Sequence, residues 1–193
     1  MTLHRSKQKN ESNLVLKIKI KDEILLAAKK RASKIKANKY QIASGGAIYG
    51  ILGEELFLNN FGGELIDCKD YDIKHKNIGK IDVKVKRCNG PPLDHYQCNV
   101  AAYQVDKNDC EFYAFYRVHN NLDTAWFLGI ISKEEFVKKS IFLKKGTKTD
   151  DGFSVKADCY NIKISDLKTI SEVQNNEVKP VKCRAKCKNK KVG

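Results

Sequence analysis

The sequence lacks a long hydrophobic run. No stretch approaches the ~20 apolar residues that a membrane-spanning helix requires, and the polar segment 1–13 has no apolar core like that of a signal peptide. These absences predict a cytoplasmic protein that does not enter the membrane. Internal repeats and long low-complexity tracts are also missing, so neither a repeat array nor a chain disordered overall is expected.

Histidine and cysteine are distributed in a way that disfavours two further classes of protein. The four histidines are scattered, so they form no histidine-rich metal motif, and His75 is predicted to lie in a surface turn. The seven cysteines are odd in number and lie mostly in apolar or strand-like segments. That distribution is typical of reduced thiols and not of a disulfide framework.

Positive charge, in contrast, is abundant. The 193 residues contain 37 Lys and Arg against 23 Asp and Glu, for a formal net charge of +14. An excess of this size favours a polyanionic partner, with nucleic acid first and an anionic membrane surface second. With 41% hydrophobic and 31% charged residues, the chain is expected to form one globular domain with tails.

Three regions are predicted along the chain. Residues 1–40 form an N-terminal extension with a basic helix, residues 41–172 form the globular domain, and residues 173–193 form a basic flexible tail. The end of that tail contains no acidic residue, which predicts a segment that orders on meeting a partner. The tail residues expected to contact DNA are Lys182, Arg184, Lys186 and Lys188.

A strand is predicted around residues 80–87, which read KIDVKVKR. Ile81, Val83 and Val85 alternate with charged residues, as in a strand with one buried face. Asp82 and Lys84 therefore lie on the same face, next to each other along the strand.

A helix is predicted upstream, over the text AIYGILGEELFLNNFGG of residues 47–63. Its apolar residues recur at helical spacing, and Gly62 and Gly63 end it. Glu54 and Glu55 fall in the middle of this helix, beside apolar neighbours.

Further strands are predicted downstream. Residues 110–118 and 125–131 are rich in aromatic and branched side chains, and residues 95–101 are ambiguous but favour a strand. Ser132, followed by Glu135, forms a capping box that predicts a helix start.

The order of these elements resembles the PD-(D/E)XK nuclease superfamily. Its members share a Gly-Glu helix, an aspartate, and an Asp-x-Lys strand, which correspond here to Gly53-Glu54, Asp72 and Asp82-Val83-Lys84. The segments WFLGIISKEEFVKKSIFLKKG and ADCYNIKISDL are similar to the distal half of small phage- and prokaryote-type members. The resemblance spans roughly residues 44–170. It implies an α/β, restriction-endonuclease-like core, with a mixed central sheet of about five strands flanked by helices.

A magnesium site is consistent with both the resemblance and the chemistry. Phosphodiester hydrolysis benefits from a hard divalent cation, and Mg²⁺ prefers oxygen ligands, with Mn²⁺ as a substitute. Asp72 and Asp82 would be ligands, with the carbonyl of Val83 as a third. Lys84 would orient the attacking water and stabilise developing negative charge.

Two choices remain open between neighbouring acids. Either Glu54 or Glu55 would hold a metal-bound water or a second ion, and the family pattern favours Glu54 because it follows Gly53. Asp70 would replace Asp72 if the strand register shifts. Tyr71 stands where the family name has proline.

The predicted function is metal-dependent cleavage of DNA. Lys86 and Arg87 extend the same strand toward phosphate, and Gln97 could face the site. Junction resolvases, repair or processing nucleases, restriction enzymes and phage exonucleases share this core, and the short chain favours structure-directed or nonspecific cleavage. The alternatives are a noncatalytic nucleic-acid-binding protein, a restriction-type endonuclease and an RNA-directed nuclease. A homodimer is compatible with each.

Overall fold

The main sheet has six strands, where about five were expected. The computed structural model describes residues 15–34, 46–148 and 154–177, and its main sheet has six strands in the order β1-β7-β6-β4-β3-β2. These strands are β1 (Leu16–Lys19), β2 (Glu64–Leu65), β3 (Ile73–His75), β4 (Gly79–Cys88), β6 (Phe112–His119) and β7 (Thr124–Ser132). β4 and β6 are parallel and the other neighbouring pairs are antiparallel, which confirms a mixed sheet in an α/β fold.

A second, three-stranded sheet has the order β5-β9-β8. Its strands are β5 (Gln97–Ala101), β8 (Ile141–Leu143) and β9 (Cys159–Lys163). The helices are α1 (Asp22–Ala32), α2 (Ala47–Phe61), α3 (Ala102–Lys107), α4 (Lys133–Lys139) and α5 (Ile170–Glu177), and Ile164–Asp166 form a 3₁₀ turn. The Ser132 hydroxyl accepts a hydrogen bond from the Glu135 N–H at the start of α4, which confirms the predicted cap.

Both faces of the main sheet are covered. One face packs against α1, α2 and α5, with Leu52, Leu56 and Ile81 in its core. The other packs against the second sheet and α4, with Phe115 and Phe136 in its core. Burial on both faces explains why β6 and β7 read as nearly continuous apolar runs.

β1 and α1 belong to this packing. β1 pairs with β7, and Ile24 and Ala28 of α1 are buried in the core shared with α2. Residues 16–32, assigned by the sequence to an N-terminal extension, therefore contribute to the main sheet and to the support of α2.

The prediction for His75 was wrong. The residue lies in β3, is 8% exposed, and its Nε2 is 3.2 Å from the Phe61 carbonyl. The turn follows one residue later, at residues 76–78, so His75 is the last strand residue and packs against the end of α2.

None of the helices within the three described ranges is long and apolar enough to cross a membrane. The tail residues Lys182, Arg184, Lys186 and Lys188 lie outside those ranges.

Two glycines of α2 give a direct test of how closely this helix approaches β4. A Cβ on Gly53 would overlap the Val85 side chain and stand 3.3 Å from Val83 Cγ1, whereas a Cβ on Gly50 meets nothing within 4 Å. Gly53→Ala is expected to lower the free energy of unfolding by about 1–3 kcal/mol through overpacking. Gly50→Ala, the matched control, is expected to raise it by about 0.5–1 kcal/mol through helix propensity. Urea titration of both variants measures the difference, and equal effects would contradict this packing.

Candidate active site

Asp72 lies where the pairing of β3 with β4 ends. The ladder stops at Ile73 and Ile81, and the Asp72 N–H then donates to the Ile81 carbonyl at 3.0 Å. Asp72 Oδ2 accepts a hydrogen bond of 2.7 Å from the Val83 N–H. The carboxylate therefore occupies the edge of β4 at the point that a longer β3 would have covered.

The carbonyl of Val83 lies on this same edge. The N–H and C=O groups of one strand residue point to the same side of the strand, and the Val83 N–H points toward Asp72. A carboxylate and a backbone carbonyl are thus presented together at the edge of β4.

Asp82 and Lys84 form a buried ion pair on β4. Lys84 Nζ is 2.8 Å from Asp82 Oδ2, and the two side chains are 17% and 6% exposed. Asn108, which follows α3, donates its Nδ2–H to the same oxygen at 3.0 Å. Gln104 of α3 accepts from Lys84 Nζ at 3.4 Å. The charged face of the strand predicted from alternation is therefore covered by α3.

Glu54 and Glu55 approach from α2, which packs on the opposite face of β4. Both are clamped by Arg31 of α1, whose Nη2 is 2.6 Å from Glu54 Oε2 and whose Nη1 is 2.7 Å from Glu55 Oε1. Their side chains are only 16% and 19% exposed. Arg31 thus fixes the direction of both carboxylates.

The buried carboxyl groups of Asp72 and Glu54 lie near the negative charge of Asp82. Burial raises the pKa of Asp72 to about 8, with further contributions from the nearby charges of Asp82 and Glu54. Burial also raises the pKa of Glu54 despite its bonds to Arg31, and Glu55 and Asp82 add to the effect. Both carboxyl groups are therefore harder to ionise than in water, and a bound cation would favour their charged forms.

The donor set fits a hard divalent cation. Carboxylate and carbonyl oxygens are the ligands that Mg²⁺ prefers, and Mg²⁺ keeps several waters, so few protein ligands are needed. Within residues 15–34, 46–148 and 154–177, no three His, Cys, Asp or Glu side chains already form a metal-binding group. Asp82 Oδ2 is engaged by Lys84 and Asp72 Oδ2 by Val83, so binding would use the second oxygen of each carboxylate or a small rotation.

The remaining predicted residues fall in three places. Asp70 is exposed, whereas Asp72 bonds to Val83, so the geometry favours Asp72 as the second aspartate. Lys86 and Gln97 line a small cavity together with Lys84. Arg87 lies elsewhere, with its guanidinium 5.4 Å from the centre of the Tyr49 ring.

Three site residues escaped the sequence analysis, namely Arg31, Gln104 and Asn108. Arg31 is one basic residue among several in α1. Gln104 lies in a helix of only six residues, and Asn108 directly follows it. The only sequence signal for them was polar character, which surface residues share, and the contacts arise from α1 and α3 folding onto distant elements.

No protein-family model matches the chain, and no curated protein matches it.

Proposed function

We propose that this protein is a divalent-metal-dependent nuclease that hydrolyses phosphodiester bonds in DNA. The observation that carries the proposal is the buried Asp82–Lys84 pair on β4, adjacent to the Asp72 carboxylate held at the Val83 N–H. Burying two charges is unfavourable for stability compared with apolar side chains. A pair retained beside further carboxylates favours a catalytic role.

The roles follow from positions around the edge of β4. Asp72, Asp82 and the Val83 carbonyl would hold Mg²⁺, or Mn²⁺ as a substitute. When bound, the ion supplies positive charge to the phosphoryl oxygens and makes a neighbouring water more acidic. Lys84 Nζ, held by Asp82 and Gln104, orients the attacking water and offsets charge that develops on the phosphate. Glu54, directed by Arg31, contributes a further carboxylate on the α2 side.

The same pattern supports a restriction-endonuclease-like core. A helix acid, an aspartate just before a short strand, and Asp-x-Lys on the following strand lie around the place where β3 stops pairing with β4, in the order of the PD-(D/E)XK superfamily. The net charge of +14 supports salt-dependent, sequence-independent affinity for the DNA backbone.

An assay on several DNA forms tests the proposal. Purified protein is incubated with Mg²⁺, Mn²⁺ or EDTA and with linear, nicked and four-way DNA, beside matched RNA. We expect cleavage of DNA with either metal, none in EDTA, and none by Asp82→Ala. Binding without cleavage under every condition would instead indicate a noncatalytic DNA-binding protein, and selective cleavage of RNA would change the substrate class.

A further inference from the structure

The small cavity lined by Lys84, Lys86 and Gln97 lies along β4, next to the candidate active site. It has a volume of about 30 Å³ and is enclosed by β4, β5 and β6 with a contribution from β7. Its polar lining comes from Lys84, Lys86, Gln97, Asn99 and Arg117. Lys84 therefore belongs both to the lining of this cavity and to the ion pair with Asp82.

Arg117 is the unusual member of this lining. It is 9% exposed, and its Nε is buried without a hydrogen-bond partner in the described structure. Nη2 donates to the Gln97 carbonyl at 3.4 Å, and the guanidinium lies 4.9 Å from the centre of the Tyr96 ring. A buried donor without a partner is unfavourable, and a small rotation of the guanidinium would let an acceptor bound in the adjoining cavity satisfy it.

The charge of the cavity wall is positive. Among the described residues that line it, none is Asp or Glu. Cys98 also lines it, and burial raises the pKa of this thiol to about 12, so the sulfur carries no negative charge at neutral pH. An anion is therefore the ligand that this wall would attract.

The position of the two cations relative to the active site is set by strand geometry. Lys86 and Arg117 are Cα partners in the parallel β4–β6 ladder, so their side chains leave the same face. Lys84 and Lys86 are two residues apart, a distance of about 7 Å along the strand. Neighbouring phosphates of one nucleic acid strand are separated by a similar distance.

We propose that Arg117 and Lys86 form a phosphate subsite that binds the phosphate next to the scissile one in the DNA strand. One phosphoryl oxygen enters the cavity and accepts the Arg117 Nε–H, while Lys86, which is exposed, contacts the phosphate at the mouth. The cavity admits an oxygen atom and not a base, so the contact carries no sequence information. This inference rests on the proposed function in one respect, namely that the phosphate next to the one in the subsite is the scissile phosphate.

The salt dependence of DNA binding tests the subsite without any cleavage step. Labelled single-stranded and duplex oligonucleotides are titrated in EDTA with wild type, Arg117→Met, Lys86→Met and the matched control Lys138→Met, which removes an exposed charge from α4. Each subsite variant is expected to weaken binding about tenfold and to lower the slope of log K against log[salt] by about 1. The control is expected to keep the wild-type slope.

The variants separate the possible outcomes. Arg117→Met retains the apolar stem, and a thermal melt establishes whether it folds; Lys86→Met changes an exposed side chain and provides the independent test. The subsite would be overturned if Lys86→Met binds DNA with wild-type affinity and slope, and if Arg117→Met, provided that it folds, does the same. That result would indicate that Arg117 Nε binds only water. Wild-type cleavage with unchanged slopes would reject the subsite alone. Reduced slopes in a protein that never cleaves DNA would support a phosphate contact and reject the nuclease.

Discussion

Lys84→Met is expected to reduce the rate of magnesium-dependent DNA cleavage by about 10²–10⁴-fold, the range for loss of a charge that acts on the transition state. The same change leaves the Asp82 carboxylate, 6% exposed at its side chain, without its cation. We therefore also expect a loss of about 3 kcal/mol in the free energy of unfolding. A fall in activity alone would not distinguish these two effects.

A double variant separates catalysis from stability. In Asp82→Asn/Lys84→Met neither member of the pair is left as an unpaired charge, and Asn108 can still bond to the residue 82 amide, so most of the lost stability should return. Cleavage should not return, because both a ligand and the water-orienting group are absent. Lys74→Met, on the exposed face of β3, controls for the loss of one positive charge and is expected to cleave normally. Wild-type cleavage by the double variant would show that the pair is structural.

Asp72→Asn is expected to stabilise the metal-free protein at pH 8 and to abolish cleavage. Burial beside Asp82 and Glu54 raises the pKa of Asp72 to about 8, against about 4 in an unfolded chain. Between these values the folded state holds a proton that the unfolded state has lost, so stability falls as pH rises. From pH 6 to pH 8 the loss amounts to about 2 kcal/mol.

Thermal unfolding in EDTA and in Mg²⁺, from pH 5 to pH 9, measures this effect. The wild-type melting temperature should fall toward pH 8 in EDTA, and Mg²⁺ should restore it most at high pH, because the ion competes with the proton for the carboxylate. Asp72→Asn should flatten the pH dependence and reduce the effect of Mg²⁺. Equal pH profiles for wild type and Asp72→Asn in EDTA would contradict a raised pKa of Asp72 in the folded protein.

Local chemistry accounts for most of what the sequence predicted correctly. Period-2 alternation around Asp82 and Lys84 placed both on one face of a strand, because side chains of a strand alternate regardless of what packs on them. The hydroxyl of Ser132 and the N–H of Glu135 are three residues apart, so their cap depends on little beyond the local chain. The order of Glu54, Asp72 and Asp82 could likewise be read without a structure.

Long-range packing decided what the sequence could not. The choice of Asp72 over Asp70 depends on where the β3–β4 ladder stops, since only there does the Val83 N–H become available to a carboxylate. The sequence predicted a turn at His75, but the turn comprises residues 76–78. The contact that holds His75 in place is with the Phe61 carbonyl, 14 residues upstream.

The sequence by itself therefore determined the α/β class, the strand that carries Asp82 and Lys84, and the helix that carries Glu54 and Glu55. The tertiary structure alone decided that Arg31 holds both glutamates, that α3 covers the charged face of β4, and that Arg117 lies at a cavity beside Lys86. The physical reason is the distance along the chain over which each interaction acts. Backbone periodicity and caps act over a few residues, whereas burial, ion pairing and shifted pKa values depend on groups that meet only when distant segments fold together.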